Sequence, residues 1–421
     1  MIFFVNLVEK LIAALFSFVC ANLFSQETFG LLNYSLAVAL IVAVVVSFGT
    51  QGVYFREAPA LGQVKSDSLK TNIISWYVLS VIAVFFILSA CSFYWSYASL
   101  FPIGISYAII ISAYTANLVV TDAIYSGLTK KVYVAFSAKL LASLFSVGAL
   151  ILIGDQATLT YRLSLELIGA LICCSVIFDY RVPHFRFKLT SISKLDFKNF
   201  QYFGFTMLSQ ASLVIFMSSD RLLLAFYSGL NAVADYSILM YGMLPIFAVS
   251  AVVSNLSKAV FLNYENSGKL DYATVNKYLL YALPVSVASF ILYDTFGQII
   301  LKLILPNRYD PVINLIPATC SLLLLNFVFL VSTRVHQAQR SYKVVFGLNL
   351  FGVAVNCTVM TLFAAEFGYL MGAISTFIAY VSMTLASLAM CVYRHTINWG
   401  NILITTVLIL TGGFMMKGIF F

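Results

Sequence analysis

Runs of about twenty apolar residues, separated by short polar stretches, recur along this chain from its first residues almost to its last. A helix needs roughly 20 such residues to cross the hydrocarbon core of a bilayer. Inside that core only a helix or a closed barrel can satisfy every backbone N–H and C=O. The runs are too long and too uniformly apolar for barrel strands, so the pattern predicts an all-α, polytopic membrane protein. Candidate spans lie at 2–24, 30–53, 72–94, 100–126, 133–154 and 161–179, then at 203–227, 233–258, 277–303, 313–335, 344–364 and 370–393. That makes about twelve; a last apolar run, Ile402 to Phe421, is either a thirteenth span or an interfacial helix. Composition agrees: 62% of the residues are hydrophobic and 10% charged, against about a quarter charged in soluble domains.

The net charge of +8 does not point to nucleic acid, because the Lys and Arg residues fall mostly in short loops between spans. One set of alternate loops holds Arg56, Lys65, Lys70, Lys130, Lys131, Lys269, Lys277, Arg340 and Lys343, with the basic stretch Arg181 to Lys198. The other set holds little beyond Arg162 and Arg308. The first set therefore faces the cytoplasm, and so does the N-terminus. The first run carries Glu9 and Lys10 mid-way and no basic region ahead of it, which suits a retained span rather than a cleaved signal. The seven cysteines lie in apolar stretches and read as small hydrophobes, and the three histidines have no metal-ligand spacing.

The longest polar segment, Asp179 to Gln201, divides the spans six and six. This predicts an N-terminal lobe over 1–195, a C-terminal lobe over 196–393 and a tail over 394–421 with its apolar segment. Phe24-Ser25 followed by Asn33-Tyr34-Ser35 is matched, at the same spacing, by Phe226-Tyr227 followed by Asp235-Tyr236-Ser237. Such a match is what a parallel internal repeat leaves behind.

Three segments carry a family resemblance. Leu23 to Ser35 (LFSQETFGLLNYS), Ser219 to Tyr236 (SDRLLLAFYSGLNAVADY) and Phe367 to Thr376 (FGYLMGAIST) resemble the polysaccharide transporters, the O-antigen flippases, of the multidrug/oligosaccharidyl-lipid/polysaccharide exporter superfamily. The chain departs from that pattern at Ser25-Gln26, at Ala234-Asp235, and at Gln337 to Arg340 where a Gly-Lys turn is usual. The resemblance implies a MATE-like fold, two six-helix bundles around a central cavity that alternates between leaflets. It implies a cargo, an undecaprenyl-diphosphate-linked oligosaccharide, moved from the cytoplasmic to the outer leaflet of the bacterial inner membrane. As partners it implies membrane lipids, a polysaccharide polymerase and a chain-length regulator.

Ionised groups at bilayer depth cost a few kcal/mol even on lenient scales and belong against protein or water. Lys10, Lys139 and Arg221 lie inside spans, with Gln210 two to three turns before Arg221, and suit an anionic headgroup in a cavity. Arg334, Lys258 and Arg56 lie near inner ends, where snorkelling is their ordinary role and a basic vestibule the functional one. Asp220, Asp294, Glu9 and Asp122 are the acidic candidates for H⁺ or Na⁺ coupling. Pro245, Pro284 and Pro317 fall inside second-half spans, where a proline frees a carbonyl and permits a bend.

No Gly-rich nucleotide loop with Lys occurs, so the chain is read as a transporter without cofactor, driven by an ion gradient or by downstream consumption of its cargo, and not as an enzyme. The alternative transporter is a multidrug or cation extrusion antiporter, against which the buried basic residues weigh. A membrane polysaccharide polymerase or ligase would need a large external loop, and none of the external loops has the length.

Overall fold

The computed structural model describes residues 2–47, 70–88, 100–125, 144–154, 162–168, 200–243, 293–339 and 341–393, with a few isolated positions between them. These residues are almost entirely helical, and no strand occurs among them. The helices are α1 (Ile2–Leu23), α2 (Gln26–Ser47), α3 (Lys70–Leu88), α4 (Leu100–Tyr125), α5 (Leu144–Ile153) and α6 (162–168). There follow α7 (Phe200–Tyr227), α8 (Gly229–Gly242), α9 (Gln298–Ile304), α10 (Asp310–Ile313), α11 (Ile316–Ala338), α12 (Tyr342–Phe367) and α13 (Tyr369–Tyr393). Among the described residues four helices are individually long and apolar enough to cross a bilayer, namely α2, α3, α12 and the Tyr369–Cys391 part of α13.

Helix ends are set locally. Only Phe24 and Ser25 separate α1 from α2, so the first loop is a tight turn, and α2 starts four residues before the apolar run does. Ser25 caps α2, its Oγ accepting the Thr28 N–H at 3.2 Å, and Glu27 adds a negative charge to the first turn, where the helix dipole favours it. Pro317 was expected to bend a span from within. It sits instead in the first turn of α11, where its missing N–H has no intrahelical partner to lose, so it starts the helix and does not kink it. Pro284 is helical and exposed, and Pro245 lies outside the described residues.

The chain forms two compact units, Met1–Gly30 with Ile215–Phe421, and Leu31–Val214. In the second unit, Tyr107 of α4 donates to Ser80 Oγ at 2.9 Å and Ser80 donates on to the Tyr77 carbonyl at 2.7 Å. Trp76 ties α3 to the end of α2 through the Val46 carbonyl at 2.8 Å. Arg162 of α6, almost fully buried, pairs with Glu166 one turn on at 3.1 Å. In the first unit α12 and α13 pack along most of their length, with α11 against both and α8 against α1, α10 and α13. Apolar side chains such as Phe86, Leu152 and Leu303 point outward, as they do in a protein whose solvent on that face is lipid.

Candidate functional site

The site grows from one carboxylate. Asp220 lies two turns before the end of α7 and only 2% of its surface is exposed. Buried without partners, such a group would be prohibitively costly, so its surroundings must replace the lost water. Three helices supply what water would. Tyr236 of α8 donates its hydroxyl to Oδ2 at 2.6 Å, Thr376 of α13 donates to the same oxygen at 2.8 Å, and Asn356 of α12 donates from Nδ2 to Oδ1 at 2.6 Å. Hydrogen bonds to a charged group contribute roughly 1.5–3 kcal/mol each, so the trio offsets much of the desolvation.

The backbone is shaped around this group. A Cβ at position 372 of α13 would lie 2.8 Å from Cδ2 of Tyr236 and 3.1 Å from Cδ1 of Leu224. Gly372 therefore leaves the space that lets the Tyr236 ring lie flat and its hydroxyl reach Asp220. One turn beyond Thr376, Tyr380 meets Phe216 edge-on with ring centroids 5.1 Å apart and Phe329 at 6.2 Å, a cluster of buried rings. The remaining polar atom of the group, Asn356 Oδ1, is buried with no hydrogen-bond partner. A carboxylate and two hydroxyls thus meet from three helices in a buried setting. Hard oxygen donors of this kind are what a small cation takes, and the carboxylate alone can take a proton.

Asp220 and Arg221, about 100° apart on the helix, take different hydrogen-bond partners. Arg221 is half-buried and directs Nε to Ser237 Oγ on α8 at 3.4 Å. Gln210, eleven residues before Arg221 on α7, is exposed. Arg334, half-buried on α11, donates from Nη1 to Gln337 at 2.6 Å, while its Nε is buried without a partner. The structure therefore gathers Asp220 with residues of α8, α12 and α13, and leaves Arg334 in a separate local contact. Glu9 and Lys10 lie in α1, Asp122 in α4 and Asp294 in the π-helical turn Tyr293–Gly297, and only their backbones are described. Arg56, Lys139 and Lys258 lie outside the described residues.

Residues 1–261 match the family model described as "Polysaccharide biosynthesis protein". The chain belongs to that family. No curated protein matches it in sequence, whereas solved structures match its fold over nearly its whole length. An inward-facing multidrug resistance MATE family transporter of the MOP superfamily aligns with a TM-score of 0.65 at 14% identity, covering 95% of each chain. The lipid II flippase MurJ, in an inward closed conformation, aligns with a TM-score of 0.69 at 13% identity, over 98% of this chain and 90% of that one. A MOP superfamily transporter from Pyrococcus furiosus aligns with a TM-score of 0.64 at 15% identity, over 92% and 93%. The fold is the polytopic membrane fold of that superfamily, as the resemblance implied.

Within this family member, Tyr236, Asn356 and Thr376 escaped the reading of charges along the sequence. Tyr236 and Thr376 close two of the quoted segments, yet nothing in a hydroxyl marks it as a carboxylate partner. Asn356 carried the better signal: an amide in the middle of a largely apolar 26-residue helix, one of two there with Asn349, has to find a partner.

Proposed function

We propose that this protein is a flippase that carries an undecaprenyl-diphosphate-linked oligosaccharide from the cytoplasmic to the outer leaflet of a bacterial inner membrane, with its N-terminus in the cytoplasm. The headgroup of such a lipid is charged and hydrated and cannot cross hydrocarbon, while its tail need never leave it. A protein that shelters the head with cationic and hydroxyl groups and alternates between leaflets removes that barrier. Membership of a polysaccharide biosynthesis family and a fold shared with a lipid II flippase support this cargo class. Arg221 and Arg334 are the described cations available to a diphosphate, and Lys10, Lys139, Lys258 and Arg56 complete the set drawn from the sequence. The repeat units so delivered would pass to a polymerase and its chain-length regulator.

The observation that carries the mechanism is the Asp220 group. A buried carboxylate held by neutral donors from three other helices links the occupancy of one oxygen site to the packing of α7, α8, α12 and α13. Binding a proton or a sodium ion there changes which of those hydrogen bonds persist, and so biases the arrangement of the helices. This is the coupling step we assign to H⁺ or Na⁺ antiport, with Asp220 as the coupling group; Asp294, Glu9 and Asp122 are secondary candidates.

Deletion of the gene followed by lipid analysis tests the cargo. The expected result is loss of surface polysaccharide, with single lipid-linked repeat units accumulating in the inner leaflet. Single units accumulating in the outer leaflet instead would assign the chain to polymerisation and end the flippase reading.

A further inference from the structure

Beyond Thr376, α13 carries a polar residue in every turn. Thr376, Tyr380, Thr384, Ser387 and Cys391 follow one another at spacings of three or four residues. They therefore fall within about 80° of one another around the helix, and all of them are buried. Thr376 is the donor to Asp220, and from there the stripe runs along the seam between α13 and α11. Thr384 donates to the Leu325 carbonyl at 3.4 Å. Ser387 donates to Ser332 Oγ at 2.8 Å, and Ser332 donates on to the Phe329 carbonyl at 2.9 Å. At the far end Cys391 Sγ lies 3.5 Å from Nε2 of His336, a fully buried residue in the last turn of α11. Arg334 and Gln337 share that helix end. Tyr342 and Lys343 open α12, and the Ser341 N–H before them donates to the His336 carbonyl at 2.8 Å.

Hydrogen bonds between helices in a membrane contribute only about 0.6 kcal/mol each on average. That is too little to account for a histidine taken wholly out of water, since an ionisable group inside a span is retained for what it does. The stripe joins two such groups, with a hydroxyl in every turn between Asp220 and Cys391. We propose that the α11–α13 seam is the route by which protons reach Asp220, with His336 as the group that takes them up. The inference rests on the reading of Asp220 as the coupling group, and it makes the proton the coupling ion, because a file of hydroxyls passes protons and no metal ion. Nε2 of His336 faces Cys391, so the ring gains a proton on Nδ1 and releases the one on Nε2, ending neutral. Each thiol or hydroxyl gives up its proton as it accepts another, and the last transfer, from Thr376, leaves the Asp220 carboxylate protonated. A turn of α13 rises about 5.4 Å, a gap that one bridging water closes where two hydroxyls do not touch. His336 stands at the end of α11 whose loop holds Arg340 and Lys343, the side the sequence assigns to the cytoplasm.

Time-resolved infrared spectroscopy on the full chain in lipid tests the route without any cargo. After a step to acid pH, the carbonyl stretch of protonated Asp220 grows in, identified as the band that Asp220→Asn lacks. Ser387→Val and Ser387→Thr add side chains of one shape, and only the second keeps a hydroxyl. The band should grow about tenfold more slowly in Ser387→Val, the factor for ~1.4 kcal/mol on a barrier, and at nearly the unaltered rate in Ser387→Thr. His336→Gln, which keeps a hydrogen-bonding side chain and loses the titrating ring, should slow it likewise. The final height of the band should be the same in all of them, since a route sets a rate and not an equilibrium. Equal rates in Ser387→Val and Ser387→Thr, or an unslowed band in His336→Gln, overturn the route and leave Asp220 as the coupling group. A band that is the same in Asp220→Asn as in the unaltered protein overturns Asp220 as the proton's destination, and the route with it.

Discussion

The Tyr236 hydroxyl lies 2.6 Å from Oδ2 of Asp220, joining the last third of α7 to α8 in a part of the molecule where both side chains are buried. The bond joins the two helices on either side of the turn at Ser228. Any change in the charge of Asp220 is therefore felt first by the orientation of α8 against α7.

Tyr236→Phe removes that hydroxyl and keeps the ring. One donor to a buried charged group is lost, so the folded protein should be destabilised by about 1–3 kcal/mol. Thermal unfolding in detergent should show a lowered midpoint, and the shift should be much smaller in an Asp220→Asn background, since the charged acceptor is already gone.

Gly372→Ala should reproduce part of this effect without touching a polar atom. The added methyl would lie 2.8 Å from the Tyr236 ring, and the ring must move off its hydrogen bond. The expected outcome is a destabilisation in the range of about 1–3 kcal/mol typical of overpacking, measured by the same unfolding curve. Tyr236→Phe and Gly372→Ala together should cost less than their sum, because both act on one hydrogen bond.

Arg221→Gln and Arg334→Gln test the headgroup assignment. Each contributes a cation whose hydrogen bonds inside the protein are few, a single one to Ser237 for Arg221 and a single one to Gln337 for Arg334. Both variants should fold with nearly unchanged thermal midpoints. Half-saturating concentrations for a polyprenyl-diphosphate sugar should rise by about tenfold or more, as expected for loss of a charge-assisted phosphate contact. Equal affinity in both variants would remove these residues from the headgroup path.

Much of the architecture is legible in the amino acids because bilayer physics leaves few alternatives. The apolar runs mark α12 and α13 to within a few residues, and Asp220 stands out since an ionised group in such a run needs a reason to be there. What the sequence withholds is convergence. Asn356 lies 136 residues from Asp220 and Thr376 lies 156 away, and only the packing of α12 and α13 against α7 brings them together. Arg308 read as an ordinary loop cation, since its role depends on the carbonyls of a helix 284 to 287 residues earlier. Pro317 was misjudged for a simpler reason: hydropathy does not locate a helix start, and the same proline is a kink or a first-turn residue according to where that start falls.

The coupling role of Asp220 is tested most directly by counting transbilayer movement of a fluorescent polyprenyl-diphosphate sugar in proteoliposomes under imposed proton and sodium gradients. The unaltered protein should accelerate movement when one of the two gradients is applied, and Asp220→Asn, which keeps the shape and removes the charge, should move cargo at a rate that neither gradient changes. Movement that is equally fast in the unaltered protein with both gradients collapsed, or that remains gradient-driven in Asp220→Asn, contradicts the account.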